Sequence, residues 1–147
     1  MIKAINQFEM VLPAKSENEG FARHSVSSFL ASLDPTVGDL ADLRTAVSEA
    51  VTNCVVHAYK GKEQGLIYIS VWCYEERKVV IRIKDKGCGM ADPETCRQPL
   101  YTTDTTGERG GMGFAIMESF TDAIRVLSKP GKGTTVTLVK KFSVGNE

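Results

Sequence analysis

Between Leu40 and Ala58 a single apolar stripe runs unbroken. At about 100° per residue, Leu40, Leu43, Val47, Val51, Cys54 and Ala58 fall on one side of a helix. A stripe of that length has to be buried against another layer. The next segments supply one. Leu66–Tyr74 and Val79–Lys84 are strand-like and flank the polar turn Glu75-Glu76-Arg77-Lys78, which predicts an antiparallel hairpin. The long helix starts at Thr36, a good N-cap after the stop Asp34-Pro35. It runs to about Tyr59, and Lys60-Gly61-Lys62 ends it.

The flanking segments complete the architecture. Gln7 to Leu12 alternates weakly and reads as a first strand. Ser16 and Glu19 have capping-box spacing ahead of a helix striped by Phe21, Val26, Phe29, Leu30 and Leu33. Gly113 to Phe120 predicts a short helix. Ala123–Leu127 and Thr134–Phe142 predict two last strands around Lys129-Pro130-Gly131-Lys132-Gly133. Helices come first, then a mostly antiparallel sheet with one helix inserted, so the expected fold is an α+β two-layer sandwich. At 147 residues the chain is expected to form one domain.

Composition excludes several classes of function. Eighteen basic residues balance eighteen acidic ones, so no basic excess points to nucleic acid or to an anionic membrane. No apolar run reaches the roughly 18 residues of a membrane span, and the first residues lack the apolar core of a signal peptide. Cys54, Cys73, Cys88 and Cys96 form no C-x-x-C pair, and His24 and His57 lie far from any zinc pattern. Free thiols in a reducing cytoplasm are the expectation.

The polar side of the long helix is unusual. Glu49, Asn53 and His57 recur at i, i+4 and i+8 and so share one side. A solvated face accounts for such a row. However, Ala46, Val55 and Val56 flank it, and asparagine is a poor helix former. A carboxylate here can take a proton from a hydroxyl or orient a water. The amide oxygen is a hard, neutral ligand suited to Mg²⁺.

Glycines then take over. From Asp85 to Gly113 there are six, with little periodicity, and a loop that long in a small domain is usually functional or disordered. The strand Ile81-Arg82-Ile83-Lys84 runs into Asp85-Lys86-Gly87-Cys88-Gly89. An aspartate at that strand end can accept from an exocyclic amine, although a plain turn also explains the glycines. Arg109-Gly110-Gly111-Met112-Gly113 opens the short helix, where backbone N–H groups favour anions; a flexible loop with a solvated arginine is the alternative. The spacing fits neither a P-loop nor a dinucleotide fingerprint. Lys132-Gly133-Thr134-Thr135 opens the last strand, either as a hairpin turn or as a hydroxyl directed at a ligand.

In order and spacing these four elements resemble the N, G1, G2 and G3 boxes of the GHKL ATPase and kinase superfamily. The Bergerat α/β sandwich that this implies matches the predicted element order. The length is close to that of the ATP-binding domain alone, unlike the much longer gyrase, chaperone and mismatch-repair members. Histidine kinases add a dimerisation domain carrying the phosphoacceptor histidine. Ala46-Val47-Ser48-Glu49-Ala50-Val51-Thr52-Asn53 and His57-Ala58-Tyr59 are similar to the small bacterial serine kinases that act as anti-sigma factors. Arg97-Gln98-Pro99-Leu100-Tyr101-Thr102-Thr103, Gly111 to Glu118 and Phe29 to Thr36 resemble the sporulation anti-sigma F group, over about residues 8–140. The general-stress, sigma-B type kinases are similar in the first box and differ across the lid.

The resemblance implies a role for each matching residue. Glu49 would be the general base, Asn53 the Mg²⁺ ligand, and Asp85 the acceptor for the adenine amino group. Gly87 and Gly89 would form the first glycine turn. An ATP lid would span about residues 92–111. Arg109 would act on the transferring phosphate, with Thr103, Gly111, Met112 and Gly113 among the nucleotide-binding residues. Thr135 would bring a hydroxyl near the adenine, and Arg23 would lie on the partner-binding surface. The implied partners are a sigma-F type sigma factor and an anti-anti-sigma protein that accepts phosphate on serine, with a homodimer as the assembly. A non-catalytic ATP-binding module that sequesters its partner, and the catalytic half of a split histidine kinase, are the other readings. Two residues depart from the family pattern. Gly110 replaces a small polar residue, loosening the lid hinge. Cys54 stands where alanine is common and is expected only to pack on the sheet. His57 reads as a helix-end residue rather than a catalytic one.

Overall fold

A computed structural model describes residues 2–59, 65–89 and 110–143, with backbone alone for 110–112. The order is strand β1 (Asn6–Pro13), helix α1 (Glu17–Leu30), helix α2 (Val37–Asn53), strands β2 (Leu66–Tyr74) and β3 (Lys78–Asp85), helix α3 (Gly110–Ser119), then strands β4 (Ala123–Lys129) and β5 (Gly133–Lys141). The strands form one sheet in the order β1-β2-β3-β5-β4, with every neighbouring pair antiparallel. The expected α+β two-layer fold is what the chain adopts.

Alternation along the strands decides which side is covered. Ile67, Ile69, Val71 and Cys73 of β2 and Val79, Ile81 and Ile83 of β3 are buried. They lie on one face, since side chains repeat every second residue. Val136 and Leu138 continue that face on β5. From the helices, Leu43, Ala46, Val47, Val51, Cys54, Ala22, Val26, Leu30, Phe114 and Met117 join the same core. The apolar stripe of α2 is therefore spent on the sheet, and α2 packs against both α1 and α3. The opposite sheet face carries polar and aromatic groups, among them Arg82 with its guanidinium 5.0 Å from the Trp72 ring.

Helix ends follow local chemistry, with one correction. Thr36 has extended backbone (φ −67°, ψ 158°), and its hydroxyl oxygen accepts from the Asp39 N–H at 3.0 Å, the geometry of a true N-cap. Ser16 does not cap α1. Its backbone is already helical (φ −53°, ψ −38°), so its side chain makes no capping bond. Glu19 turns to Arg23 instead, with Oε2 3.3 Å from Nη1. The last turn of the long helix, Cys54–Ala58, is wound as a π-helix. Such insertions recur at functional sites because they re-aim side chains without ending the helix.

Candidate functional site

Two clusters of side chains line α2, one in its last α-helical turns and one at its π-helical end. The first holds Glu49 and Asn53. Glu49 is only 5% exposed, so the polar row is not a solvated face. Gly113, in the first turn of α3, sits against both residues. A methyl group added there would meet Asn53 Oδ1 at 3.3 Å and Glu49 Oε2 at 3.4 Å. Glycine here lets the α3 backbone lie close to both a carboxylate and an amide; a side chain would make them give by a few tenths of an ångström. Asn53 Nδ2 is buried with no hydrogen-bond partner among the described residues, a costly state unless an acceptor such as a ligand oxygen completes it, and its Oδ1 is the atom a cation would take. One carboxylate beside one amide suits Mg²⁺, which takes few protein ligands and keeps several waters. Among the described residues no group of three or more His, Cys, Asp or Glu gathers as a metal site.

The second cluster centres on Asp85. It continues the buried parity of Val79, Ile81 and Ile83 and is 6% exposed. Its Oδ1 accepts from the Gly87 N–H at 2.9 Å and the Thr134 N–H at 3.2 Å. The Cys54 thiol donates to Oδ2 at 3.6 Å. Burial pushes the Asp85 carboxyl above its ordinary value, and the hydrogen bonds from Gly87, Thr134 and Cys54 oppose that rise.

The turn after β3 is clamped from the π-helical end of α2. The Ala58 carbonyl accepts from the Cys88 N–H at 2.7 Å, and the His57 carbonyl accepts the Cys88 thiol at 3.6 Å. The Tyr59 hydroxyl accepts from the Lys86 N–H and donates to the Leu66 carbonyl, both at 2.7 Å. Gly87 passes so near the Ala58 carbonyl that any Cβ would strike it. Gly89 has φ +72°, which glycine takes without strain.

The structure corrects one placement. Thr135 pairs with Lys84 and Leu127 on the open face of the sheet. Thr134, not Thr135, is the register partner of Asp85, and its hydroxyl lies 2.8 Å from that of Ser128. A one-residue slip in a strand moves a side chain to the other face.

Arg23 belongs to neither cluster. It lines a groove of about 340 Å³ with Ala41, Arg44, Thr45, Ser48 and Glu49. Thr103 and Arg109, the lid to residue 109, and Cys96 lie outside the described residues, as do the side chains of Gly111 and Met112. Sequence reasoning missed Cys54 as a partner of Asp85, and Thr134, Tyr59 and Arg44. The stripe puts Cys54 on the sheet-facing side of α2 and the parity of β3 puts Asp85 among its buried residues, but their contact and the choice of Thr134 follow only from the tertiary packing and the β3–β5 register.

Comparison with known proteins places the fold. A family model described as a histidine kinase-like ATPase domain matches residues 12–140. An anti-sigma F factor of Pasteuria penetrans is 49% identical over 137 residues, 93% of this chain and 91% of that protein. One from Bacillus cereus (strain G9842) is 46% identical over 141 residues, 96% of each. Among solved structures, the RsbU and RsbW domains of Rv1364c from Mycobacterium tuberculosis align with a TM-score of 0.70 at 22% identity. That alignment covers 95% of this chain, which spans only 33% of that one. The mycobacterial sensor histidine kinase MprB aligns with a TM-score of 0.58 at 17% identity, covering 92% of this chain and 98% of that one. The last two speak to the fold alone. With a buried Glu49 beside Asn53, an anchored Asp85 and relatives nearly half identical along almost the whole chain, the protein belongs to the anti-sigma F factor family of histidine kinase-like ATPase domains.

Proposed function

We propose that this protein is an anti-sigma factor that inhibits a sigma-F type factor and, as an ATP-dependent serine kinase, phosphorylates the anti-anti-sigma protein that opposes it. The observation that carries the reading is the pairing of Glu49 and Asn53 against the first turn of α3. It supports chemistry at that point rather than passive nucleotide storage. The names of the relatives support the regulatory role.

In this reading Asp85 accepts a hydrogen bond from the adenine amino group. Asn53 holds Mg²⁺, with Glu49 beside it. When bound, the ion neutralises phosphate charge. The acceptor serine oxygen bonds to the γ-phosphorus, the bond to the β,γ-bridging oxygen breaks, and ADP departs. Glu49 takes the serine proton; its burial keeps bulk water from competing for that position. Arg109, which lies outside the described residues, and the backbone amides of the lid hold the developing charge by resemblance to the family. Positioning and electrostatics supply most of the rate in phosphoryl transfer. Arg23, which shares a groove with Glu49, meets the protein partner. The working assembly is a homodimer, proposed from the resemblance.

Retention of the two partners in different nucleotides tests the regulatory half. With Mg-ATP the protein should hold the sigma factor. With Mg-ADP it should hold the unphosphorylated anti-anti-sigma protein. Equal retention of both partners in both nucleotides would overturn the switch.

A further inference from the structure

Asp85 is almost fully engaged before any ligand arrives. A carboxylate offers about four lone-pair positions, two on each oxygen. Gly87 and Thr134 occupy both positions on Oδ1 through their backbone N–H groups. Cys54 occupies one on Oδ2. One acceptor position remains, on Oδ2. Burial and the adjacent Asp85 push the Cys54 thiol well above its ordinary value, so the sulfur keeps its proton and is the donor of this contact.

That count has a consequence for recognition. One open position suits a single N–H, such as one proton of an exocyclic amine. It does not suit two parallel donors, because Oδ1 has nothing left to offer. With an alanine at position 54, Oδ2 has two open positions, and a water or a differently angled donor can fill the second. Cys54 has helical backbone at the end of α2 (φ −66°, ψ −43°), on the stripe that faces the sheet, and the residue is 3% exposed.

We propose that Cys54 is a positioning residue for Asp85: its thiol fixes the orientation of the carboxylate and leaves one acceptor position, which sharpens selection of a purine that carries an exocyclic amine. This inference rests on the adenine-reading role proposed for Asp85. It concerns Cys54 itself, which acts through its contact with Asp85 and has no part in the phosphoryl transfer proposed above.

The test compares the binding of ATP with that of purine riboside triphosphate, which has hydrogen in place of the 6-amino group. Calorimetric affinities for both nucleotides are measured on the full chain, on Cys54→Ala and on Cys54→Ser. Wild type should prefer ATP. Cys54→Ala should reduce that preference by about threefold to tenfold, the scale of one net hydrogen bond. Cys54→Ser, which keeps a donor, should restore most of it. A cavity or a general loosening would weaken both nucleotides alike, so equal losses in Cys54→Ala would overturn the proposal. So would a Cys54→Ser variant that discriminates no better than Cys54→Ala. If wild type itself shows no preference, the role of Asp85 fails and this inference fails with it. If wild type and Cys54→Ala show the same preference, the role of Asp85 stands and only the role of Cys54 is lost.

Discussion

Replacing Asp85 with asparagine should separate nucleotide binding from stability. The amide oxygen of Asn can keep the two backbone bonds now made to Oδ1, from Gly87 at 2.9 Å and Thr134 at 3.2 Å. Its NH₂ group then stands where Oδ2 was, presenting donors to any ligand N–H. The lost contact is a hydrogen bond to a charged acceptor, about 1.5–3 kcal/mol. That converts to a weakening of ADP binding by about 10- to 150-fold. Folding should respond differently. Burial raises the Asp85 carboxyl above its ordinary 3.8. For a raised carboxyl, the favourable contribution to folding is full below the unfolded value and is lost as pH rises through the folded one. At neutral pH the ionised group is therefore a cost to folding, and the neutral amide removes it. The expected result is weak ADP binding by calorimetry with unfolding stability unchanged within about 1 kcal/mol. An ADP affinity within about twofold of wild type would refute the reasoning. So would a binding loss accompanied by a large fall in stability, since that would trace the defect to a disordered turn.

Three further outcomes follow from named contacts. Glu49→Ala should retain ADP binding and lower phosphoryl transfer by about 10²–10⁴-fold, the usual contribution of a positioned base; stopped-time transfer assays measure this. Gly87→Ala would force a Cβ into the Ala58 carbonyl and should cost about 1–3 kcal/mol in denaturant melts, the scale of local overpacking. Asp39 accepts from the Ser143 N–H at 2.6 Å, and that bond, with help from Lys140, holds its carboxyl below the ordinary 3.8. Its stabilisation is present above that ordinary value and disappears as pH falls through the depressed one, so Asp39→Asn should flatten the acid limb of stability as pH falls below the ordinary 3.8.

Much of the fold was legible because its signals are local. The stripe from Leu43 to Ala58 and the alternation in β2 and β3 each state their own periodicity, and the polar turn Glu75–Arg77 separates the strands. Thr36 was legible as a cap because it follows a stop and precedes Asp39. Ser16 was misleading because cap spacing says nothing of backbone angle, and here the backbone is already helical. The site was legible where a residue type is out of place, as with Asn53 in a helix or Asp85 at the end of an apolar strand. It was not legible where pairing decides the outcome. Choosing between Thr134 and Thr135 needs the register of β5 against β3. The Cys54–Asp85 contact needs α2 laid on the sheet, and the Tyr59 clamp needs the π-helical turn that aims it.

The most direct test of the proposed function is transfer of labelled γ-phosphate from Mg-ATP to the anti-anti-sigma protein, with Glu49→Ala run beside wild type. The account predicts label on a serine of the acceptor, lost in the variant while nucleotide binding survives. Wild-type protein that binds ATP and transfers nothing to that acceptor, or a variant that transfers as well as wild type, would contradict it.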